Sequence, residues 1–211
     1  MSSAHPRRDY RGPALIESRA PADPFLLLER WVAQALRRGG PEPAAMTLAT
    51  ADRRGRPRAR MVLFRAADQD GVTFYTNLES AKARELAARP DAALVVWWPA
   101  LHRQVRIEGR VRLLRAAEAD AYFARRPRGA QLGAWASPQS RVLRSRAALD
   151  TRRARFAARF AGVAVPRPPH WGGYRLQPRL IEFWQGRPDR LHDRLRYSLA
   201  AGRWRRVRLA P

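Results

Sequence analysis

Apolar positions along the chain recur first with a helical period and then with a strand period. Asp23-Pro24 opens the first run, with Asp suited to the N-cap and Pro to the first turn. Phe25, Leu28, Val32 and Leu36 follow at helical spacing, and Gly39-Gly40 ends the run. Ala45 to Ala51 and Arg58 to Phe64 flank a turn at Asp52 to Gly55 and predict a hairpin. Gly71 precedes a strand over Val72 to Thr76, and Ser80 to Arg89 predicts a short helix. Ala92 to Trp98 is a nearly continuous apolar run, the pattern of a buried strand. From His102 to Leu114 the alternation is clean. Val105, Ile107, Gly109, Val111 and Leu113 face one way, and Gln104, Arg106, Glu108, Arg110 and Arg112 the other. Helical spacing returns over Ala116 to Arg125 and Arg141 to Phe160. Pro166 to Pro169 breaks the chain before closing strands at Tyr174 to Leu176, Leu180 to Gln185, Leu195 to Leu199 and Trp204 to Leu209.

Hairpin-linked strands with helices inserted at intervals predict a mainly β, α+β fold: an antiparallel barrel or sheet wrapped by helices. Residues 1 to about 20 are polar, basic and aperiodic, and are expected to form a mobile arm ahead of a single domain over 21–211. The chain shows neither an internal repeat nor a linker-like composition.

With 211 residues, 45% of them hydrophobic, the chain can bury a substantial core. It has no apolar run long enough to predict a membrane span and no apolar stretch near Met1 that reads as a leader. A cytoplasmic protein is therefore expected. The lack of cysteine excludes disulfides, thiolate metal sites and a cysteine nucleophile. The four histidines have no metal-ligand spacing, so no metal is expected. The formal charge of +24 raises the question of nucleic acid. However, Lys82 is the only lysine, and the arginines run from Arg7 to Arg208 without forming a block. That usage, beside abundant alanine, fits compositional bias. No zinc-finger, zipper or RNP-like pattern is present, which disfavours nucleic acid as the partner.

Four segments carry candidate chemistry. Arg60-Met61-Val62-Leu63-Phe64-Arg65 has an arginine at each end, on opposite faces by parity. These fit solvated strand ends as well as anion ligands. Tyr75-Thr76 running into Ser80 and Lys82 could make a phosphate cradle at a helix start, or an ordinary cap. Tyr122 to Gln139 reads as a basic loop, Arg125-Arg126-Pro127-Arg128, with flanking aromatics. Ile181 to Arg194, IEFWQGRPDRLHDR, passes from a buried-strand pattern into Arg190, His192 and Arg194 beside Trp184. A flat apolar surface next to several cations suits a planar ligand that carries phosphate.

This last segment resembles the signature of the pyridoxine/pyridoxamine 5′-phosphate oxidase family: EFWQ, four residues, then RLHDR. YTNLES, ARRPR with QLGAW, and HWGGYRL extend the resemblance from about Arg7 to Pro211. The resemblance implies a split β-barrel homodimer, with FMN at the subunit interface and the C-terminal region taking part in dimerisation. It implies oxidation of pyridoxine or pyridoxamine 5′-phosphate to pyridoxal 5′-phosphate, with O2 as acceptor and H2O2 as product. Arg60 through Arg65, Tyr75, Thr76, Lys82, Gln104, Gln139, Ser140, Trp184 and Arg194 would hold FMN. Arg65, Tyr122 and Arg126 would hold the substrate phosphate. Arg190, Leu191 and His192 would lie at the pyridine ring, with Arg190 and His192 as the catalytic pair. Arg7, Arg8, Asp9 and Tyr10 would close over the substrate.

Three positions depart from the family pattern. Arg65 stands where lysine is usual, Ala81 where an arginine is, and Ala130 where a serine is. Each alanine removes a donor, and a charge-assisted hydrogen bond contributes about 1.5–3 kcal/mol. Arg84, Arg125 and Arg128 lie close enough in sequence to compensate. The departures leave room for a related flavin oxidase acting on another anionic ring. A protein that binds flavin or pyridoxal phosphate without turnover is the other alternative.

Overall fold

The computed structural model describes residues 9–38 and 40–211. Its first long helix, α1 (Pro24–Arg38), starts as expected, with the Asp23 carboxylate accepting from the Phe25 N–H at 2.9 Å. The predicted stop at Gly39 lies outside the described residues. Leu27, Leu28, Trp31 and Ala35 form its buried stripe.

The strands are β1 (Ala45–Ala51), β2 (Pro57–Leu63), β3 (Ala66–Asp68), β4 (Gly71–Asn77), β5 (Asp91–Trp98), β6 (Arg103–Leu113), β7 (Trp171–Gln185), β8 (Asp193–Ala200) and β9 (Arg203–Leu209). They form one antiparallel sheet in the order β2-β1-β5-β6-β7-β4-β3, open rather than closed. β7 carries β8 and β9 on a branch. Along one edge β7 pairs with β6 from Tyr174 to Gln185. Along its other edge the first part, Trp171 to Leu176, pairs with β4, and the last part, Leu180 to Gln185, pairs with β8. The strand thus splits the sheet into two wings.

The sequence pattern predicts two separate strands where β7 is continuous. Pro178 has no N–H to give the ladder and falls at a bulge, where the register shifts between Glu108 and Gly109. The bulge lets the strand continue past the proline. Gly109 is required there, because a Cβ would sit 2.0 Å from the Gln177 carbonyl oxygen.

The remaining helices are α2 (Ala81–Ala88), α3 (Ala116–Ala124), α4 (Arg128–Ala136) and α5 (Arg146–Arg159). α4 replaces the basic loop predicted from 122 to 139. Gly129 and Gly133 weaken the helical signal, and the buried face is only Gln131, Leu132 and Ala136. α5 starts later than the periodicity predicts, because the Ser145 hydroxyl caps it by accepting from the Ala148 N–H at 3.1 Å. Among the described residues, no helix is long and apolar enough to cross a membrane.

The main core lies between α1 and the inner face of the sheet, around Leu48, Phe74, Leu94, Val105, Ile107, Leu176, Phe183 and Leu195, all at most 1% exposed. A second cluster of Phe123, Leu132, Phe160, Val165 and Trp171 joins α3, α4 and α5 to the start of β7. The alternation in β6 matches expectation except at Leu113, which is exposed at the strand end.

Residues 9–20 of the predicted arm lie against the domain. The Leu15 N–H donates to Asp193 at 3.0 Å, and Arg208 donates to the Leu15 carbonyl at 2.7 Å. Leu15 itself is buried.

Gly109→Ala is expected to destabilise the fold by about 1–3 kcal/mol through backbone overpacking. The check is the urea midpoint, and an unchanged midpoint would show that the bulge yields without cost.

Candidate active site

The predicted residues gather in two places on one chain. The first is a cavity of about 450 Å³ between β2, β4, α3 and α4. Met61, Val62, Leu63, Arg65, Tyr75, Thr76, Lys82, Tyr122, Arg126 and Gln139 line it, as does Ala130. Tyr75, Tyr122 and Trp171 are mutually parallel: the Tyr75 ring centroid lies 3.9 Å from that of Tyr122 and 5.3 Å from that of Trp171, and the last two are 6.1 Å apart. This stack gives the cavity a flat, rigid wall.

Among the described residues, three cations that line the cavity, Lys82, Arg126 and Arg65, form no ion pair; Lys82 is buried, and so is one guanidinium nitrogen of Arg126. Ser80 caps α2 and holds Lys82 on its first turn. Lys82 is buried, and its ammonium donates to the Thr76 hydroxyl and the Gln139 side-chain oxygen, each at 3.2 Å. Burial, and then the nearby Arg60, push its pKa down. Arg126 follows the end of α3. Its guanidinium stacks on Trp171 at 4.6 Å, and its Nη1 is buried without a hydrogen-bond partner among the described residues. Burial lowers its pKa as well, with Arg65 adding to the effect. A buried cation with unused donors is costly until an anion meets it. The cavity is therefore a double anion socket with an aromatic wall.

Arg60 turns away from the cavity lining. It donates to Thr50 and forms an ion pair with Glu85 at 2.6 Å. Phe64 packs against the core, and Ser140 sits next to Gln139 in a left-handed backbone conformation, φ 69°. The candidates for compensation do not reach the cavity. Arg84, Arg125 and Arg128 donate to backbone carbonyls of Glu79, Ala121 and Val163 respectively. Ala81 lines a separate exposed groove together with Arg84.

The second place is the outer face of the sheet. Pairing puts Trp97 opposite Gln104, Gln104 opposite Trp184, and Trp184 opposite Arg194. Cross-strand partners share a face, so these four residues form one row across β5, β6, β7 and β8. The 188–192 segment folds over this row. Asp189 and Arg190 both adopt positive φ, 55° and 62°. Leu191 is 69% exposed, whereas His192 lies against Trp184 with ring centroids 4.5 Å apart. The Arg187 N–H donates to His192 Nδ1 at 3.1 Å, which leaves the ring proton on Nε2. Burial, and then Arg190, lower the His192 pKa below its usual 6.5.

Of the predicted substrate lid, Arg7 and Arg8 lie outside the described residues. Asp9 is exposed, and Tyr10 packs on His102, Trp184 and His192 at centroid distances of 4.7, 5.7 and 5.7 Å. Gly186 makes room for it, since a Cβ there would lie 2.7 Å from the Tyr10 side chain.

Sequence reading passed over Asn77, Gly133, Ala134, Ser137 and Trp171 as cavity lining, and Trp97 in the outer row with His102 near it across Tyr10. Trp171 stands in the HWGGYRL match, Asn77 in YTNLES, and Gly133 and Ala134 in QLGAW, so a signal for those four was present. Gln104, Trp184, Arg190, His192 and Arg194 do not line the cavity of their own chain.

The chain is similar to known proteins. Residues 32–159 match the family described as "Pyridoxamine 5'-phosphate oxidase", and residues 171–211 match "Pyridoxine 5'-phosphate oxidase C-terminal dimerisation region". A pyridoxine/pyridoxamine 5′-phosphate oxidase of Ectopseudomonas mendocina is 56% identical over 97% of this chain and 96% of its own. That of Synechocystis is 51% identical over 100% and 99%. Among solved structures, PhzG from Burkholderia lata in complex with tetrahydrophenazine-1-carboxylic acid superposes with a TM-score of 0.88 at 37% identity. It covers 95% of this chain and 99% of its own. A pyridoxamine 5′-phosphate oxidase-related, FMN-binding protein from Nostoc punctiforme shares the fold at TM-score 0.73 and 19% identity, over 91% of this chain and 100% of its own. Fold and relatives together define an oxidoreductase of the split-barrel class. The chain belongs to the pyridoxamine 5′-phosphate oxidase family.

The depressed His192 pKa sets the direction of a pH effect. Between the folded value and 6.5 the unfolded chain binds more protons. The stability contributed by neutral His192 is thus complete above 6.5 and is lost as pH falls toward the folded pKa. An NMR titration of the ligand-free protein should place the His192 midpoint below 6.5, and Arg190→Ala should raise it. A midpoint at or above 6.5 in the unsubstituted protein contradicts this environment.

Proposed function

We propose that the protein oxidises pyridoxine 5′-phosphate or pyridoxamine 5′-phosphate to pyridoxal 5′-phosphate with bound FMN and O2, releasing H2O2. The observation that carries the proposal is the double anion socket. Lys82 with only neutral partners and Arg126 with a buried unused donor share one cavity and one aromatic wall. A planar cofactor phosphate and a planar substrate phosphate supply the two anions this arrangement lacks. The same cavity therefore fits FMN by its donors.

Lys82, Thr76 and Gln139 would bind the cofactor phosphate, with Arg60 behind them. Met61 and Leu63 offer apolar edges to its ring system. Arg126 and Arg65, beside Tyr122, would grip the substrate phosphate. FMN, when bound, supplies a two-electron acceptor that O2 can reoxidise. The protein contributes binding, orientation and exclusion of water.

The residues of the outer row would complete the site from a second copy of the chain. Two observations support a homodimer. Gln104, Trp184, Arg190, His192 and Arg194 stand apart from the cavity on their own chain, and residues 171–211 match a dimerisation region. Two-fold symmetry would set each row against the other copy's cavity. Arg190 and His192 would then orient the substrate ring, with His192 holding its proton at Nε2. Tyr10 and the residues before it would cover the ring. Retention in the cytoplasm is part of the same proposal.

A second reading has one specific support. Ala130 leaves the cavity without the serine donor usual for the family, and PhzG, which binds a ring carboxylate, is 37% identical. In that reading Arg126 receives a carboxylate on a larger ring.

Purified protein should be yellow and should produce peroxide from pyridoxine or pyridoxamine 5′-phosphate. A protein that cannot be reconstituted with FMN sinks the proposal, and anaerobic flavin reduction only by phenazine-type carboxylates selects the second reading. Arg126→Ala should raise KM for the phosphorylated substrate by tenfold or more, the size of one lost charge-assisted contact. Arg190→Ala should cut turnover far more than flavin content, and equal loss of both would contradict its assigned place.

A further inference from the structure

Glu182 is a buried carboxylate on the outer face of the sheet, only 3% exposed. It sits one row beyond Trp184, opposite Arg106 on β6 and Arg196 on β8. Its Oε1 accepts from Arg194 Nε at 2.9 Å and Nη2 at 2.8 Å. Its Oε2 accepts from Arg106 Nη2 at 2.6 Å. Arg106 is held in turn by Glu108, and Arg194 Nη1 donates to the Ala210 carbonyl at 2.9 Å.

The Arg194 guanidinium is therefore fixed on three of its nitrogens. Burial alone would raise the Glu182 pKa, but the two arginines outweigh it and hold the pKa below the usual carboxylate range. Glu182 is ionised whenever the site works. A long arginine side chain near the start of a strand would otherwise sample several rotamers, and ordering it on ligand binding costs affinity. A carboxylate that orders it beforehand removes that cost.

We propose that Glu182 is a positioning residue for the cofactor: it presets Arg194, through a network anchored on Arg106, in the orientation that receives FMN. The proposal rests on the reading in which Arg194 meets FMN across the dimer interface. Glu182 itself touches neither ligand in that reading.

The test is FMN titration of apo-protein, followed by flavin fluorescence quenching, together with the melting temperature without FMN. The proteins are the unsubstituted chain, Glu182→Gln, Arg194→Met and the double variant. Glu182→Gln should raise the FMN Kd roughly tenfold, and Arg194→Met at least as much. The double variant should bind no more weakly than Arg194→Met alone, because the two residues act as a unit. If Glu182→Gln does not fold, Arg106→Met removes the second anchor and should raise Kd by a smaller factor. A lowered melting temperature with an unchanged Kd makes Glu182 a structural brace and overturns the proposal. An unchanged Kd in Arg194→Met overturns it through the role of Arg194. Failure of the unsubstituted apo-protein to bind FMN removes the functional reading beneath it.

Discussion

The register between β6 and β7 is the constraint on which the rest depends. The pairing runs from Leu113–Tyr174 to Arg103–Gln185, with one register shift where β7 bulges at Arg179 beside Pro178, opposite Gly109. Sheet faces alternate with a period of two, so a slip of one residue would turn every side chain over. In the observed register Val105, Ile107, Ile181 and Phe183 enter the core. Gln104, Arg106, Glu182 and Trp184 then emerge together on the other face. The force that fixes this arrangement is burial of the apolar set, and the polar row is carried with it.

The same strand carries residues of both candidate groups. At its start, Trp171 supplies the aromatic wall behind Tyr75 and the platform under Arg126. Near its end, Trp184 lies in the outer row with Arg194. The outer-row residues do not line the cavity of their own chain. Each group is also chemically unfinished. The cavity holds cations without counter-charges, and the row leaves Trp97 and Leu191 substantially exposed. A second copy and two anionic ligands would satisfy both deficits.

Much of this was legible in the sequence because it depends on local patterns. Alternation marked β6, an Asp-Pro start marked α1, and the Ser80 cap marked α2. The IEFWQGRPDRLHDR segment was readable as an aromatic among cations. What remained hidden depends on partners distant in sequence. α4 is held by Leu132 against Phe123, Phe160 and Trp171, a contact that no local period encodes. The continuity of β7 depends on a bulge within β7 itself, where Arg179 is skipped between Pro178 and Leu180 opposite Gly109 and Glu108. Arg60 and Lys82 look equivalent as candidate phosphate ligands. Only the fold shows that Arg60 is neutralised by Glu85 while Lys82 has uncharged partners. Likewise, Arg84, Arg125 and Arg128 lie near the altered positions in sequence but are spent on backbone carbonyls.

If one functional site needs the cavity of one copy and the outer row of another, subunit complementation will reveal it. A chain carrying Lys82→Met with Arg126→Ala should be inactive, as should a chain carrying Arg190→Ala. Co-expressed, they would form mixed dimers in which one site is intact. A shared site gives recovery to about a quarter of the unsubstituted activity at random pairing of the two chains. Activity in the mixture no higher than the mean of the two parents, with mixed dimers demonstrably present, would contradict it.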